Sequence, residues 1–174
     1  LSMMEKKLGL KKRIGIDVLI EEVEAMMQVE QIAASTPRLE CLIFGMGDYS
    51  ASQQMQLGAV GASGAYPPDV WHYPRYKMTI ASHANKLDPV DGPYANFRNP
   101  EGYRKEAERA YALGMVGKWA IHPSQVEIAD AVFTPAIGAA SSVLVGQILP
   151  SGAAGAVVLA HGAPLAIRKV RAEV

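Results

Sequence analysis

Ile14-Gly15-Ile16-Asp17-Val18-Leu19-Ile20-Glu21 is an apolar run that ends in a carboxylate, and it is the stretch that decides the fold class. Three other short apolar runs have the same character, and we predict a strand at each of them: residues 41–44, 78–81 and 119–121. Helix-like segments lie between or after these runs: residues 23–34, 49–57 and 103–113. Strands that alternate with helices predict βαβ units and a parallel sheet.

The third helical segment has the clearest boundary signals. Asn99 can cap its N-terminus, Pro100 suits the first helical position, and Gly114 suits the C-terminal stop. A period of 3.6 residues places four side chains of this segment on one face: Tyr103, Ala107, Ala110 and Tyr111.

A polar or ionisable residue follows each predicted strand: Glu21, Asp48, His83 and His122. An open doubly wound sheet and a barrel both fit the alternation of strands and helices. Barrel enzymes place their chemistry at the carboxyl ends of several strands, so this arrangement favours a TIM (β/α)8 barrel. Four βα units make half of such a barrel, and we expect the chain to be a piece of one.

Composition excludes several classes of partner. The 174 residues include 17 basic and 17 acidic side chains, so no broad field attracts nucleic acid or an anionic membrane. Cys41 is the single cysteine, which rules out an intrachain disulfide and fits a reducing compartment. The apolar stretch at residues 131–160 is broken by glycine and proline, and no secretory signal opens the chain. We therefore expect a cytoplasmic protein.

Glu21 and Asp48 are the strongest candidates for a metal site. Neighbouring strands lie about 4.8 Å apart, so carboxylates at two adjacent strand ends can share one small cation. Mg²⁺ is commonly held by one or two carboxylates, with water and substrate oxygens completing its octahedron. The pattern also allows a structural alternative, in which Glu21 is a solvated first-turn residue and Asp48 caps a helix.

The remaining polar motifs allow structural explanations as well. Gly45-Met46-Gly47 could expose backbone N–H groups to an anion or could be a tight turn that needs positive φ. His122 and Pro123 fit a strand-to-helix turn in which Ser124 caps the next helix. His72 and His83 are too isolated for metal ligands, and Cys41 fits a buried apolar position. Three cations are expected on surface loops: Arg75, Lys86 and Arg98.

Taken in order, the motifs resemble those of the citrate lyase β-subunit-like (HpcH/HpaI aldolase) family. The segment at residues 16–21 resembles its metal-binding strand, and the segment at residues 42–49 resembles its F-G-x-x-D strand. Residues 91–94 match its D-G-x-Y turn, and residues 114–125 match its G-x-x-G-K-x-x-I-H-P-S-Q signature. Residues 133–135 follow as Phe-Thr-Pro, and the segments near residues 49–53 and 71–74 look most like malyl-CoA/β-methylmalyl-CoA lyases.

The resemblance implies a metal-dependent carbon–carbon lyase. Glu21 and Asp48 would bind Mg²⁺ or Mn²⁺, Gly47 and Asp48 would bind glyoxylate through their backbone, and His122 and Pro123 would lie near the thioester. The substrates would be acyl-CoA and glyoxylate, and the assembly a homo-oligomer, trimeric or hexameric. Residues 1–135 would be the C-terminal half of the barrel, and residues 136–174 an extension or lid.

Two departures from the family pattern keep alternatives open. The family's substrate-carboxylate arginine and most of its CoA-binding residues belong to the first half of the barrel, which we expect to lie outside this sequence. The lid aspartate of the family has no counterpart in residues 158–166, where His161 is a weak substitute. A malyl-CoA thioesterase on the same scaffold, or a catalytically incomplete half-barrel, are therefore the alternatives to the lyase.

Overall fold

The computed structural model describes residues 1–57 and 69–134, together with the backbone of residues 142–145 and 156–161. The helices are α1 (Ser2–Lys7), α2 (Val23–Met27), α3 (Val29–Ala33), α4 (Met46–Ser52), α5 (His72–Ala84), α6 (Pro100–Ala112) and α7 (Pro123–Phe133). The strands are β1 (Ile16–Ile20), β2 (Leu39–Phe44), β3 (Asp88–Asp91), β4 (Gly117–Ala120), β5 (Ser142–Val145) and β6 (Ala156–His161).

One sheet joins all six strands in the order β1-β2-β3-β4-β6-β5. Strands β1 to β4 are parallel, with Ile20 opposite Phe44 and Ile43 opposite Val90. Strand β6 pairs with β4 in the antiparallel sense, and β5 pairs with β6 in the same sense. Because β1 to β4 run in one direction, their carboxyl ends share one edge of the sheet, which we call the rim. The predicted parallel α/β architecture is confirmed.

The two faces of the sheet have different neighbours because successive side chains of a strand point to opposite sides. Leu42 and Phe44 are fully buried in the main core, between the sheet and the helices. Cys41, Ile43 and Val90 form a smaller cluster of their own. Each buried leucine or phenylalanine contributes roughly 1.5–3 kcal/mol relative to an exposed one, so the helix-facing layer is the main source of stability.

The predicted strand at residues 78–81 is wrong, since these residues lie inside helix α5. The buried side chains of α5 recur every three or four residues and include Arg75, Met78 and Ser82, which is a helical face. The third strand is β3 instead, and its sequence Asp-Pro-Val-Asp has little strand propensity. Burial of the strand between β2 and β4 overrides that propensity.

The other helix predictions are confirmed with shifted boundaries. Asn99 caps α6 by accepting from the backbone of Gly102 (2.9 Å), and Gly114 ends the segment with φ of +91°. Tyr103 on the predicted face is fully buried, but Tyr111 is 49% exposed and was wrongly placed there. The single helix predicted at residues 23–34 is divided at Gln28 into α2 and α3.

Cys41 is expected to resist alkylation in the folded protein. The side chain is 1% exposed, and burial raises the pKa of the thiol far above its ordinary value, so the reactive thiolate is scarce. Iodoacetamide at neutral pH should label the native full-length protein at Cys41 at least tenfold more slowly than the same protein in urea, followed by peptide mass spectrometry. Equal labelling rates in the two states would contradict the burial.

Candidate functional site

Glu21 stands at the rim, directly after β1 and before α2. The Gly45 N–H donates to the Ile20 carbonyl (2.9 Å), which holds the end of β2 beside that of β1. A Cβ placed on Gly45 would lie only 2.6 Å from the Cβ of Glu21. Gly45 is therefore required for close approach of Glu21 to the end of β2, not for positive φ, since its φ is −86°.

Asp48 meets Glu21 from the first turn of α4. Burial raises the pKa of Glu21, and the charge of Asp48, the charge of Glu22 and a hydrogen bond with Asp48 raise it further. The start of α2 is also tied to α4, because the Val23 N–H donates to Ser52 Oγ (3.0 Å). Helix α4 begins at Met46 with Gly45 as its N-cap, so the alternative that Asp48 is the helix cap is wrong.

The paired carboxylates fit a hard divalent cation. Two like charges in contact repel each other, and a cation bound between them would remove the repulsion that raises the pKa of Glu21. Among residues 1–57 and 69–134, no group of three or more metal-ligating side chains occurs. Mg²⁺ needs only one or two carboxylates, since water and substrate oxygens supply its other ligands. The residues present therefore fit Mg²⁺ better than a metal that needs an all-protein set of ligands.

A buried ionic network lies behind this pair. Arg75, which is 1% exposed, donates from Nε to Asp91 Oδ1 (2.8 Å) and from a terminal nitrogen to Asp69 Oδ1 (2.9 Å). The fully buried Lys118 donates from Nζ to Asp91 Oδ2 (2.6 Å). Glu106 accepts from Arg75 and lies 3.4 Å from the Lys118 ammonium. Burial alone would raise the pKa of Asp91, but Arg75 and Lys118 outweigh it and hold that pKa below its ordinary value.

The network supports the end of β2, the strand that leads to Asp48. Lys118 Nζ donates to the Gly92 carbonyl (2.8 Å), which anchors the turn after β3. A Cβ on Gly92 would lie 2.1 Å from the Phe44 carbonyl, so this turn packs directly against the end of β2. The Arg75 guanidinium also lies 5.9 Å from the centre of the Phe44 ring. The turn between β2 and α4, which leads to Asp48, is thus supported from the helix side of the sheet.

Sequence reasoning missed this network. Arg75 was expected on a surface loop, but it lies on the buried face of α5, in the same helical row as Met78 and Ser82. The signal for its burial was the period of that row, which the strand prediction at residues 78–81 obscured. Lys118 lies on β4 next to Gly117, and the motif that contains it gave no indication that its charge is buried.

His122 and Pro123 lie at the rim, after β4. His122, not Ser124, is the cap of α7: its Nδ1 accepts from the Ser124 N–H (3.2 Å), and Gln125 Oε1 accepts from the His122 N–H (3.2 Å). Gln125 also donates to the Tyr94 carbonyl (2.9 Å), which joins this turn to the loop after β3.

His83 is not at the rim, contrary to the expectation. It lies in the last turn of α5, exposed, with Nε2 2.8 Å from the Gly114 carbonyl. The expectation failed because it depended on the strand at residues 78–81. The structure therefore brings Glu21, Asp48 and His122 to one edge and places His83 elsewhere.

Residues 3–123 match the family described as HpcH/HpaI aldolase/citrate lyase. The chain belongs to this family. An L-malyl-CoA/β-methylmalyl-CoA lyase from Rhodobacter capsulatus is 40% identical over 142 residues, which cover 76% of this chain and 45% of the relative. A (3S)-malyl-CoA thioesterase from Cereibacter sphaeroides is 36% identical over 124 residues, which cover 67% of this chain and 38% of the relative.

Solved structures of the HpcH/HpaI aldolase/citrate lyase type share the fold. A citrate lyase β subunit from M. tuberculosis, complexed with oxaloacetate and magnesium, superposes with a TM-score of 0.61 at 26% identity. That match covers 74% of this chain and 56% of the other. The predicted TIM-barrel fold class is confirmed, with four consecutive parallel strands of the barrel in β1 to β4.

The chain spans about half the length of the curated family relatives that it matches. No helix within the described ranges is long and apolar enough to cross a membrane. The predicted boundary at residue 135 and the side chain of His161 both lie outside the residues whose side chains the structure describes. The assignments of metal and substrate to Glu21, Gly47, Asp48, His122 and Pro123 stay predictions.

Proposed function

We propose that the protein is a lyase that reversibly cleaves malyl-CoA, or β-methylmalyl-CoA, to glyoxylate and acetyl-CoA, or propionyl-CoA. The observation that carries the proposal is that Asp48, in the first turn of α4, lies near enough to Glu21 for its charge to raise the pKa of the Glu21 carboxyl, while Gly45, directly after β2, lies beside Glu21. The 40% identity to a lyase named for these substrates supports it. Mg²⁺ or Mn²⁺ would be the cofactor, held by these two side chains.

The reaction breaks the bond between C2 and C3 of the malyl group. Its electron pair stays on C3 as the enolate of the acyl-CoA, while the C2 hydroxyl loses its proton and becomes the aldehyde oxygen of glyoxylate. The enolate then takes up one proton at C3 to give the acyl-CoA product, which balances the proton lost from the hydroxyl. The bound cation would supply Lewis-acid stabilisation of the substrate oxygens, worth several kcal/mol. The proposal assigns no catalytic base to the described residues.

The chain's own residues would hold the glyoxylate end of the substrate. Glu21 lies close to the end of β2 because Gly45 has no side chain there, and Asp48 follows three residues later in the first turn of α4. The first backbone N–H groups of a helix have no partner within the helix, and Gly47 and Asp48 lie in the first turn of α4. In the proposed complex these groups donate to the carboxylate of glyoxylate.

The test uses the purified full-length protein with malyl-CoA. We expect glyoxylate, measured as its hydrazone, and loss of at least 99% of the rate after removal of divalent ions with EDTA, restored by Mg²⁺. A rate that survives complete chelation would contradict the metal site. Absence of glyoxylate from a folded, Mg²⁺-loaded preparation would contradict the lyase.

A thioesterase is the second candidate, favoured by the 36% identity to a (3S)-malyl-CoA thioesterase. Water would then cleave the thioester, and the products would be malate and free CoA. The same assay separates the two activities when free thiol is measured beside glyoxylate. Thiol release without glyoxylate would select the thioesterase.

A trimer or hexamer is the assembly that we propose from the family resemblance. Analytical ultracentrifugation of the purified full-length protein measures its mass in solution.

A further inference from the structure

A chain of two hydrogen bonds joins the residue before α5 to the first turn of α4. The indole Nε1–H of Trp71 donates to Ser50 Oγ (2.9 Å), and the Ser50 hydroxyl donates its own proton to the Met46 carbonyl (2.6 Å). All three residues are buried. The two segments whose sequences look most like malyl-CoA/β-methylmalyl-CoA lyases, residues 49–53 and 71–74, therefore meet at the bond between Trp71 and Ser50.

Helix α4 is too short to fix its own position. It has seven residues, and no side chain forms a capping hydrogen bond at its N-terminus. Isolated helices shorter than about 12 residues are marginal in water, so contacts with the rest of the protein decide where α4 lies. Asp48 is exposed and lies two residues before Ser50 on this helix. The direction of the Asp48 carboxylate is therefore set by the contacts that hold α4.

Helix α4 is held from two sides. Ser52 Oγ accepts from the Val23 N–H (3.0 Å), which ties the end of α4 to the first residue of α2. On the other side, Trp71 is anchored in the buried ionic network. Its backbone N–H donates to Asp69 Oδ1 (3.1 Å), and the Arg75 guanidinium lies 5.6 Å from the centre of its ring. The network is thus connected through Trp71 to the helix that carries one of the two carboxylates.

We infer that Trp71 and Ser50 are positioning residues for the metal site, because the bond between them sets the orientation of α4. Loss of this bond releases the first turn of α4 from Trp71, so Asp48 faces Glu21 in a smaller fraction of the molecules. The apparent affinity for a cation falls in proportion to that fraction. The inference rests on the proposed binding of Mg²⁺ or Mn²⁺ by Glu21 and Asp48.

The test measures Mn²⁺ binding to the purified full-length protein, from the loss of the free-ion signal in electron paramagnetic resonance. Ser50→Ala removes the hydroxyl and both of its bonds, and its Kd for Mn²⁺ should rise about fivefold, as the loss of one net hydrogen bond allows. Trp71→Phe removes the indole N–H, keeps an aromatic ring and should give a similar rise. Because both variants break the same bond, the double variant should also show a rise of about fivefold, not the product of the two.

The matched control is Ser82→Ala in helix α5. Ser82 is a fully buried helical serine whose hydroxyl donates to the carbonyl four residues earlier, at Met78 (2.9 Å), as Ser50 does to Met46. The control should lower the melting temperature and leave the Kd for Mn²⁺ at the wild-type value. A rise of the Kd in Ser82→Ala equal to that in Ser50→Ala would show a general loosening of the fold and would overturn the inference.

Thermodynamic linkage gives a second readout that needs no turnover. If Ser50 favours the orientation that binds metal, bound Mn²⁺ must stabilise the wild-type protein more than it stabilises Ser50→Ala. The rise in melting temperature on addition of Mn²⁺ should therefore be smaller in Ser50→Ala and unchanged in Ser82→Ala. Equal Kd values and equal rises in the wild-type protein and Ser50→Ala would overturn the inference while the proposed metal site stands. A folded wild-type protein that binds no Mn²⁺ would overturn both.

Discussion

Asp48→Ala should reduce the Mg²⁺-dependent cleavage of malyl-CoA by about a thousandfold or more, because the loss of one of two carboxylates removes several kcal/mol of charge stabilisation. The free energy of unfolding should change by less than about 0.5 kcal/mol, as for other exposed positions without packing or capping roles. Asp48 is exposed and is not the N-cap of α4, and its removal also relieves the repulsion on Glu21. Steady-state kinetics and urea unfolding measure the two quantities.

The matched control is Glu108→Ala, which removes an exposed carboxylate from α6. Its rate and its Mg²⁺ dependence should equal those of the wild-type protein. Glu21→Gln should behave like Asp48→Ala, since it removes the other charge of the pair. A large loss of stability in Asp48→Ala would show that the carboxylate has a structural role. A rate equal to that of the wild-type protein would show that Asp48 does not bind the metal.

The carboxylate pair could be predicted from sequence because it depends on local features. Glu21 and Asp48 each follow a strongly apolar strand, and parallel strands bring such positions to one edge. The apolar runs of β1 and β2 are long enough to identify, and the capping signals of α6 are explicit. These features can be identified without knowing which residues pack against them.

The failures share one physical cause, which is that burial was decided by distant parts of the chain. The sequence of β3 contains a proline and two aspartates, and only its place between β2 and β4 makes it a strand. Arg75 and Lys118 look like surface cations until Asp91 and Glu106 are brought to them from other elements. His122 caps α7 only because its ring folds back on Ser124, for which a histidine gives little sequence signal.

Lys118→Met should destabilise the protein by about 3–5 kcal/mol, which is the usual effect of removing one partner from a buried ion pair. The methionine fills most of the space of the lysine stem, but Asp91 and Glu106 lose an ammonium that lies 2.6 and 3.4 Å away. The control Lys105→Met removes a lysine that is 69% exposed and pairs with Glu101 at 3.7 Å. That change should cost about 0–1 kcal/mol, as for other surface pairs.

A double-mutant cycle identifies the cause of this loss. Adding Asp91→Asn to Lys118→Met removes a buried negative charge together with the positive one, so the double variant should cost less than the sum of the two single variants, by about 1–3 kcal/mol.

The pKa of Asp91 is lowered in the folded protein, so the folded state binds this proton more weakly than the unfolded chain does. Its contribution is therefore complete above the ordinary pKa of aspartate, about 3.9, and is lost as the pH falls through the folded value. For the cycle, urea unfolding at pH 7, followed by the fluorescence of Trp71 and Trp119, measures the free energy of unfolding of the wild-type protein, the two single variants and the double variant. Additive losses would show that Lys118 stabilises the fold through its packing, with no coupling to Asp91.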